Sequence, residues 1–218
     1  MDVSAHVNLW HKELEHVPDS VWEQTGLETL VLAGNALSEV SEQIGRLKKL
    51  RMLDLGHNLL TRVPDALADL ESLTDFLYLH DNRLTSLPSL LARLTRLRYL
   101  NISENAFAEL PECVCGMVNL IELRASHNQL TTLPDCIGRL SRLRELHVSN
   151  NQLSSLPDSI GALQELRLID LRCSPLTHLP AVIASVRRLE KLDLRWMAAL
   201  VPPPWLADLE ARGCVVYR

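Results

Sequence analysis

The sequence predicts an α/β repeat solenoid, an arc with a concave parallel β-sheet and short helical or extended convex segments. Three observations carry this reading. Asn35, Asn58, Asn82, Asn105, Asn128 and Asn151 recur at intervals of 23, 24, 23, 23 and 23 residues, the signature of a stacked repeat. Around each Asn the apolar residues keep one frame, as at Leu143, Leu146, Val148, Leu153, Leu156, Ile160 and Leu163. Inside that frame Leu146 and Val148 alternate with polar Glu145, His147 and Ser149, the period of a strand with one buried face.

From the N-terminus, the frame first appears at Val7, Leu9, Leu14 and Val17, so residues 4–26 are expected to form a degenerate capping coil. Eight coils follow over residues 27–211, opening at Leu27, Leu50, Leu73, Leu97, Leu120, Leu143, Leu166 and Leu189. The single 24-residue interval places an extra residue between Leu73 and Leu77, at the entry to that coil's strand. Residues 212–218 are expected to close the stack as a strand, with Val215 and Tyr217 pointing inward behind Leu206 and Leu209. Such caps cover the core and sheet edge that a last coil would leave open. Residues 1–218 thus read as a single domain with no linker.

Two recurring features belong to the fold. A buried Asn amide both donates and accepts, so it can satisfy backbone groups of its own and the adjacent coil, each costing about 1–3 kcal/mol if unmet. Pro followed by an acid, at Pro18-Asp19, Pro64-Asp65, Pro111-Glu112, Pro134-Asp135 and Pro157-Asp158, suits a first helical turn and the positive end of its dipole.

A formal charge of −5 and a pI near 5.9 argue against a nucleic-acid binder, which carries a basic excess. No run approaches the roughly 18 apolar residues that cross a bilayer, and MDVSAHVNLWHKELEHV lacks the basic and apolar regions of a signal peptide. Five cysteines, Cys113, Cys115, Cys136, Cys173 and Cys214, read as reduced thiols in a cytoplasmic setting, whether the cell's own or a host's. Cys113 and Cys136 occupy equivalent positions in adjacent coils.

LRMLDLGHNLLTRVPDAL and LRELHVSNNQLSSLPDSIGAL resemble leucine-rich repeats of the 23-residue class LxxLxLxxNxLxxLPxxIGxLxx. The class resembles intracellular repeat regions of the Scribble and Erbin group, plant Ras-group proteins and many bacterial proteins. The resemblance implies a right-handed arc that binds another protein. It also implies two other settings, a secreted bacterial effector engaging a host protein and a regulatory subunit of a signalling enzyme.

The individuality of such a chain sits on the concave face. The central row is expected to run Asn8, Val31, Asp54, Tyr78, Asn101, Arg124, His147, Asp170, Asp193, flanked by a row containing Met52, Phe76 and Tyr99. Strands about 4.8 Å apart let neighbours in a row touch. Met52, Phe76, Tyr78 and Tyr99 therefore form one candidate patch, rimmed by His57, His80, Asp81 and Glu104. Aromatic anchors inside a polar rim are what a protein-binding hot spot needs. A second, mixed-charge patch gathers Arg124, His147, Asp170, Arg172, Arg195 and Trp196. It either selects a partner or neutralises itself across strands.

No catalytic residue, cofactor or metal is expected. His57 and His80 have no cysteine support and Asp81 adds one oxygen, a poor zinc set. Cys173, His147 and Asp170 have the types of nucleophile, base and orienting acid, but Cys173 falls roughly 10 Å along the strand from Asp170 by strand rise. The expected function is therefore a monomeric, non-enzymatic module that binds a protein on its concave face, with neither nucleic acid nor membrane as partner.

Overall fold

The computed structural model of the protein describes residues 5–218, so Ser4 of the capping coil lies outside the described residues. Ten three-residue strands form one parallel sheet in strict chain order. They are β1 (His6–Asn8), β2 (Thr29–Val31), β3 (Met52–Asp54), β4 (Phe76–Tyr78), β5 (Tyr99–Asn101), β6 (Glu122–Arg124), β7 (Glu145–His147), β8 (Leu168–Asp170), β9 (Lys191–Asp193) and β10 (Val215–Tyr217). The sheet is curved and does not close. Its register matches the expected rows: Met52 pairs with Phe76 and Phe76 with Tyr99, while Tyr78 pairs with Asn101 and Arg124 with His147.

The convex segments resolve mainly into five-residue 3₁₀ helices, from Glu42–Arg46 through Asp158–Ala162 to Ala181–Ser185. Each buries an apolar residue whose partner three positions on, just past the helix, is buried too, such as Ile137 with Leu140 or Ile160 with Leu163, and three residues make one 3₁₀ turn. The prolines sit one position earlier than a first helical turn. Pro134 is the extended residue before its helix (ψ 150°), and its carbonyl accepts the N–H of Ile137 at 2.9 Å. Successive 3₁₀ helices touch closely: a Cβ on Gly138 would lie 2.8 Å from the carbonyl oxygen of Ser159.

Between sheet and convex wall, one continuous core runs from Val21 and Trp22 to Leu209 and Cys214. The Asn residues stitch its edge. Asn128 Nδ2 donates to Ile102 O at 3.0 Å in the preceding coil, while its Oδ1 accepts Phe107 N–H at 3.1 Å. The inserted residue is absorbed as expected at a strand entry. Arg98 N–H bonds Thr74 O, where regular coils use the residue directly before the strand, so β4 keeps its pairing on both sides.

Two expectations fail. Val215 and Tyr217 face the concave side, 51% and 40% exposed, and Val216 points inward. The cause is the last convex segment: a six-residue α-helix, α2 (Leu206–Ala211), replaces the 3₁₀ helix. Lys191 consequently pairs with Val215 instead of Cys214, which inverts the alternation. The cysteines are also not all reduced. Cys115, not Cys113, meets Cys136 in a disulfide, with Cα atoms 5.7 Å apart, leaving Cys113, Cys173 and Cys214 free. That bond removes the ground on which the thiols pointed to a reducing compartment.

Candidate protein-binding surface

The concave surface is built from the exposed strand positions and the residue before each Asn. That preceding residue is left-handed: His57, Asp81, Glu104, His127 and Asn150, and likewise Cys173 and Trp196 before Ser174 and Met197 in the Asn position, have φ between 49° and 60°, with Gly34 at 68°. Asn, Asp and His are enriched several-fold at such angles. This gives His11, His57 and His127 a backbone reason to be where they are. Glu104, Cys173 and Trp196 have no such tolerance and carry a strain of about 1–2 kcal/mol each.

Phe76, Tyr78 and Tyr99 come together as expected. Their ring centroids lie 5.8 Å (Phe76–Tyr78), 5.4 Å (Phe76–Tyr99) and 5.0 Å (Tyr78–Tyr99) apart, inside the range of favourable aromatic pairs. Phe76 is 42% exposed and the two tyrosines are half-buried. Met52 lies beside Phe76 across the ladder. Burial pushes the Tyr99 phenol up to about 12. Burial, then the carboxylates of Asp54 and Glu122, raise that of Tyr78. Next to the triad, a shallow groove of about 310 Å³ runs between Asp75, Phe76, Arg98, Tyr99, Ile121 and Glu122.

The rim is assembled too. His80 stands edge-on to Tyr78 at 6.0 Å and to His57 at 4.7 Å. His57 Nδ1 is 2.5 Å from Asp81 Oδ2. Burial, then neighbouring His57, hold the His80 imidazole below the usual histidine range. Over β3 to β7 the sheet face carries Asp54, Asp81, Glu104, Glu122 and Glu145 against Arg124. Arg51, Arg98 and Arg144 stand outside those rows, directly before their strands. Asp54 and Glu104 have no ion-pair partner among the described residues.

The second patch neutralises itself, mostly along each strand. Arg172 grips Asp170 through Nε and a terminal nitrogen at 2.8 and 2.7 Å, and Arg195 grips Asp193 likewise at 2.9 and 2.7 Å. Burial alone would raise the Asp170 and Asp193 carboxyls, but these bonds hold both below the usual range. Arg124 Nε lies 2.5 Å from Glu122, and His147 Nε2 lies 3.2 Å from Glu145. The Arg172 and Arg195 guanidinium groups lie 6.0 and 5.2 Å from the ring centre of Trp196, which is 67% exposed. Tyr217 joins this patch against Lys191 and Arg195. Sequence reasoning missed it because the repeat phase put it in the core. Cys173, His147 and Asp170 do not form a catalytic trio, since Arg172 occupies both Asp170 oxygens and His147 bonds Glu145.

A solenoid whose sheet lies open along its inner curve defines the class of curved repeat scaffolds. Family models described as leucine rich repeat match residues 5–60, 25–84, 75–130 and 141–196, and a two-copy model matches 118–161. The chain belongs to the leucine-rich repeat family. Among curated relatives, the volume-regulated anion channel subunit LRRC8D of Rattus norvegicus is 33% identical over 86 residues, covering 38% of this chain and 10% of its own length. Fibromodulin of Oryctolagus cuniculus is 36% identical over 85 residues, covering 38% of this chain and 54% of its own. The chain thus spans between a tenth and about half of these relatives. Among solved structures, the leucine-rich repeat domain of the type III effector XopL superposes with TM-score 0.71 at 28% identity, over 91% of this chain and 78% of that one. A Leptospira interrogans leucine-rich repeat protein gives 0.63 at 27%, over 94% and 64%. A plant peptide hormone receptor, RGFR1 in complex with RGF2, gives 0.73 at 32%, over 83% and 30%.

Proposed function

We propose that the protein is a recognition module that binds another polypeptide on its concave face, with Phe76, Tyr78 and Tyr99 as anchors. The observation that carries this reading is the mutually packed aromatic triad, left partly exposed near the middle of the concave sheet. A stiff sheet loses little freedom on binding, so a few anchors supply a large share of the affinity. The carboxylates of Asp54, Asp81, Glu104 and Glu122 around the triad favour a partner that presents Lys or Arg side chains to the rings, since cations are drawn to aromatic faces. The likeness to a receptor solved with a peptide ligand supports polypeptide recognition.

The test is to capture the partner from an extract of the source cells and titrate it against wild type and Tyr78→Ala/Tyr99→Ala. The double variant is expected to bind at least tenfold more weakly while keeping its melting temperature within a few degrees, and wild-type affinity is expected to fall as salt rises. Unchanged affinity in the double variant overturns the assignment. A second reading, an effector acting on a host protein, draws on the likeness to XopL. It is tested by a translocation assay, where absence of the protein from host cytosol rejects it.

A further inference from the structure

On the rim of the aromatic patch the geometry points to a site for a divalent transition-metal ion of the zinc, copper or nickel type, held by His57 Nε2 and His80 Nε2. The two nitrogens are 3.3 Å apart. Two imidazole nitrogens bound at about 2.05 Å to one tetrahedral ion are about 3.3 Å apart, the edge of the tetrahedron. Their ring centres would then lie about 5.1 Å apart, and they are observed at 4.7 Å, a gap that a small ring rotation closes.

The surroundings select these two nitrogens. His57 turns its Nδ1 onto Asp81 Oδ2 at 2.5 Å, the carboxylate–histidine arrangement that fixes the tautomer and leaves a bare lone pair on Nε2. His80 Nδ1 is buried without a hydrogen-bond partner, so Nε2 is the nitrogen His80 offers. Space for its ring comes from Gly56, where a Cβ would stand 2.3 Å from His80 Cε1. His57 and Asp81 both sit on the left-handed backbone step before an Asn, and Asn58 and Asn82 each bond across to the preceding coil. The ligands therefore stand on a tied frame. Without a metal the same tautomer lets His57 Nε2 accept a hydrogen bond from His80 Nε2–H; an ion displaces that proton, and the titration below separates the two states. Two protein ligands leave two positions open for water or a partner's side chain. The sequence placed His57, His80 and Asp81 together and set them aside as a poor zinc set, because spacing alone does not show the 3.3 Å approach of the two Nε2 atoms or the His57–Asp81 bond.

The test is isothermal titration of the intact protein with Zn²⁺ alone, repeated with Co²⁺ to record its ligand-field absorption. Wild type is expected to bind one equivalent in the micromolar range. His80→Ala and His57→Asn, the latter keeping a residue type that tolerates the left-handed backbone, are each expected to weaken binding tenfold or more. Asp81→Asn should weaken it by roughly tenfold, while His127→Asn stays at wild type. The rival site is Glu122, Glu145 and His147, whose ligand atoms lie within 4.8 Å of one another. Binding lost in His147→Ala but not in His57→Asn, or no binding below millimolar Zn²⁺ in the folded wild type, overturns the proposal. Circular dichroism melts show that each variant is folded.

Discussion

Replacing Asn128 with Ala tests what holds one coil to the next. Its Nδ2 donates to Ile102 O, Ala125 O and Ser126 O at 3.0, 3.3 and 3.2 Å, and its Oδ1 accepts Phe107 N–H at 3.1 Å. The carbonyls are shared. Ile102 O keeps a bond from Asn105, Ala125 O one from Asn151, and Ser126 O one from Glu104 N–H. The group left wholly orphaned is the Phe107 N–H, on a residue with no exposed surface. An unmet buried donor costs about 1–3 kcal/mol and each weakened carbonyl adds a few tenths, so Asn128→Ala should destabilise the chain by about 2–3 kcal/mol. That corresponds to a fall in melting temperature of roughly 4–12 °C for a chain of this size. Asn128→Asp should be worse at neutral pH, because it turns a carboxylate toward three carbonyl oxygens, and should recover as the pH falls and it protonates. Asn35→Ala, at the exposed end of the ladder where it serves Lys12 and Leu14 N–H, should cost less than about 1 kcal/mol because water replaces it. Urea unfolding monitored by circular dichroism measures all three. Equal losses for Asn128→Ala and Asn35→Ala would refute the assignment of the cost to an orphaned buried donor.

Ser174 stands where the ladder expects Asn, and its Oγ is buried without a hydrogen-bond partner. Ser174→Asn should therefore raise stability by about 1 kcal/mol, seen as a higher urea midpoint with unchanged slope. Tyr99 keeps its proton to about pH 12 in the folded chain, against 10 in the unfolded one. The neutral phenol is thus favoured by folding, and its contribution is complete below pH 10 and lost as the pH climbs from 10 toward 12. Ultraviolet titration of phenolate should show Tyr99 ionising last, a step absent from Tyr99→Phe. Without reductant, iodoacetamide should label Cys173 first and Cys113 most slowly, since burial pushes the Cys113 thiol up to about 11. Cys115 and Cys136 should react only after reduction, as peptide mass spectrometry would show.

The parts of the fold that repeat were legible and the parts that break the repeat mostly were not. Leucine spacing and the Asn period announced the strands, the register and the aromatic cluster, because each coil buries the same positions. The insertion at Thr74 was legible for the same reason: it is a phase shift between two fixed marks, Asn58 and Asn82. Tyr217 was misplaced because no later mark follows β10 to reveal that α2 adds a residue to the step from Lys191 to Val215. The Cys115–Cys136 bond joins non-equivalent positions of neighbouring coils, so comparing equivalent positions selected Cys113. The left-handed step that favours His11, His57 and His127 is a backbone feature that residue spacing does not reveal. Charge cancellation between Arg172 and Asp170 depends on side-chain direction, which spacing alone does not settle.

The central claim is that the partner sits on the aromatic patch. Photo-cross-linking tests it most directly, with p-benzoylphenylalanine placed at Phe76 on the concave face or at Arg142 on the convex side, each irradiated in an extract of the source cells. A discrete cross-linked partner at Phe76 that is absent at Arg142, and is lost when Tyr78 and Tyr99 are also Ala, is the expected result. A partner trapped at Arg142 and not at Phe76 would contradict it.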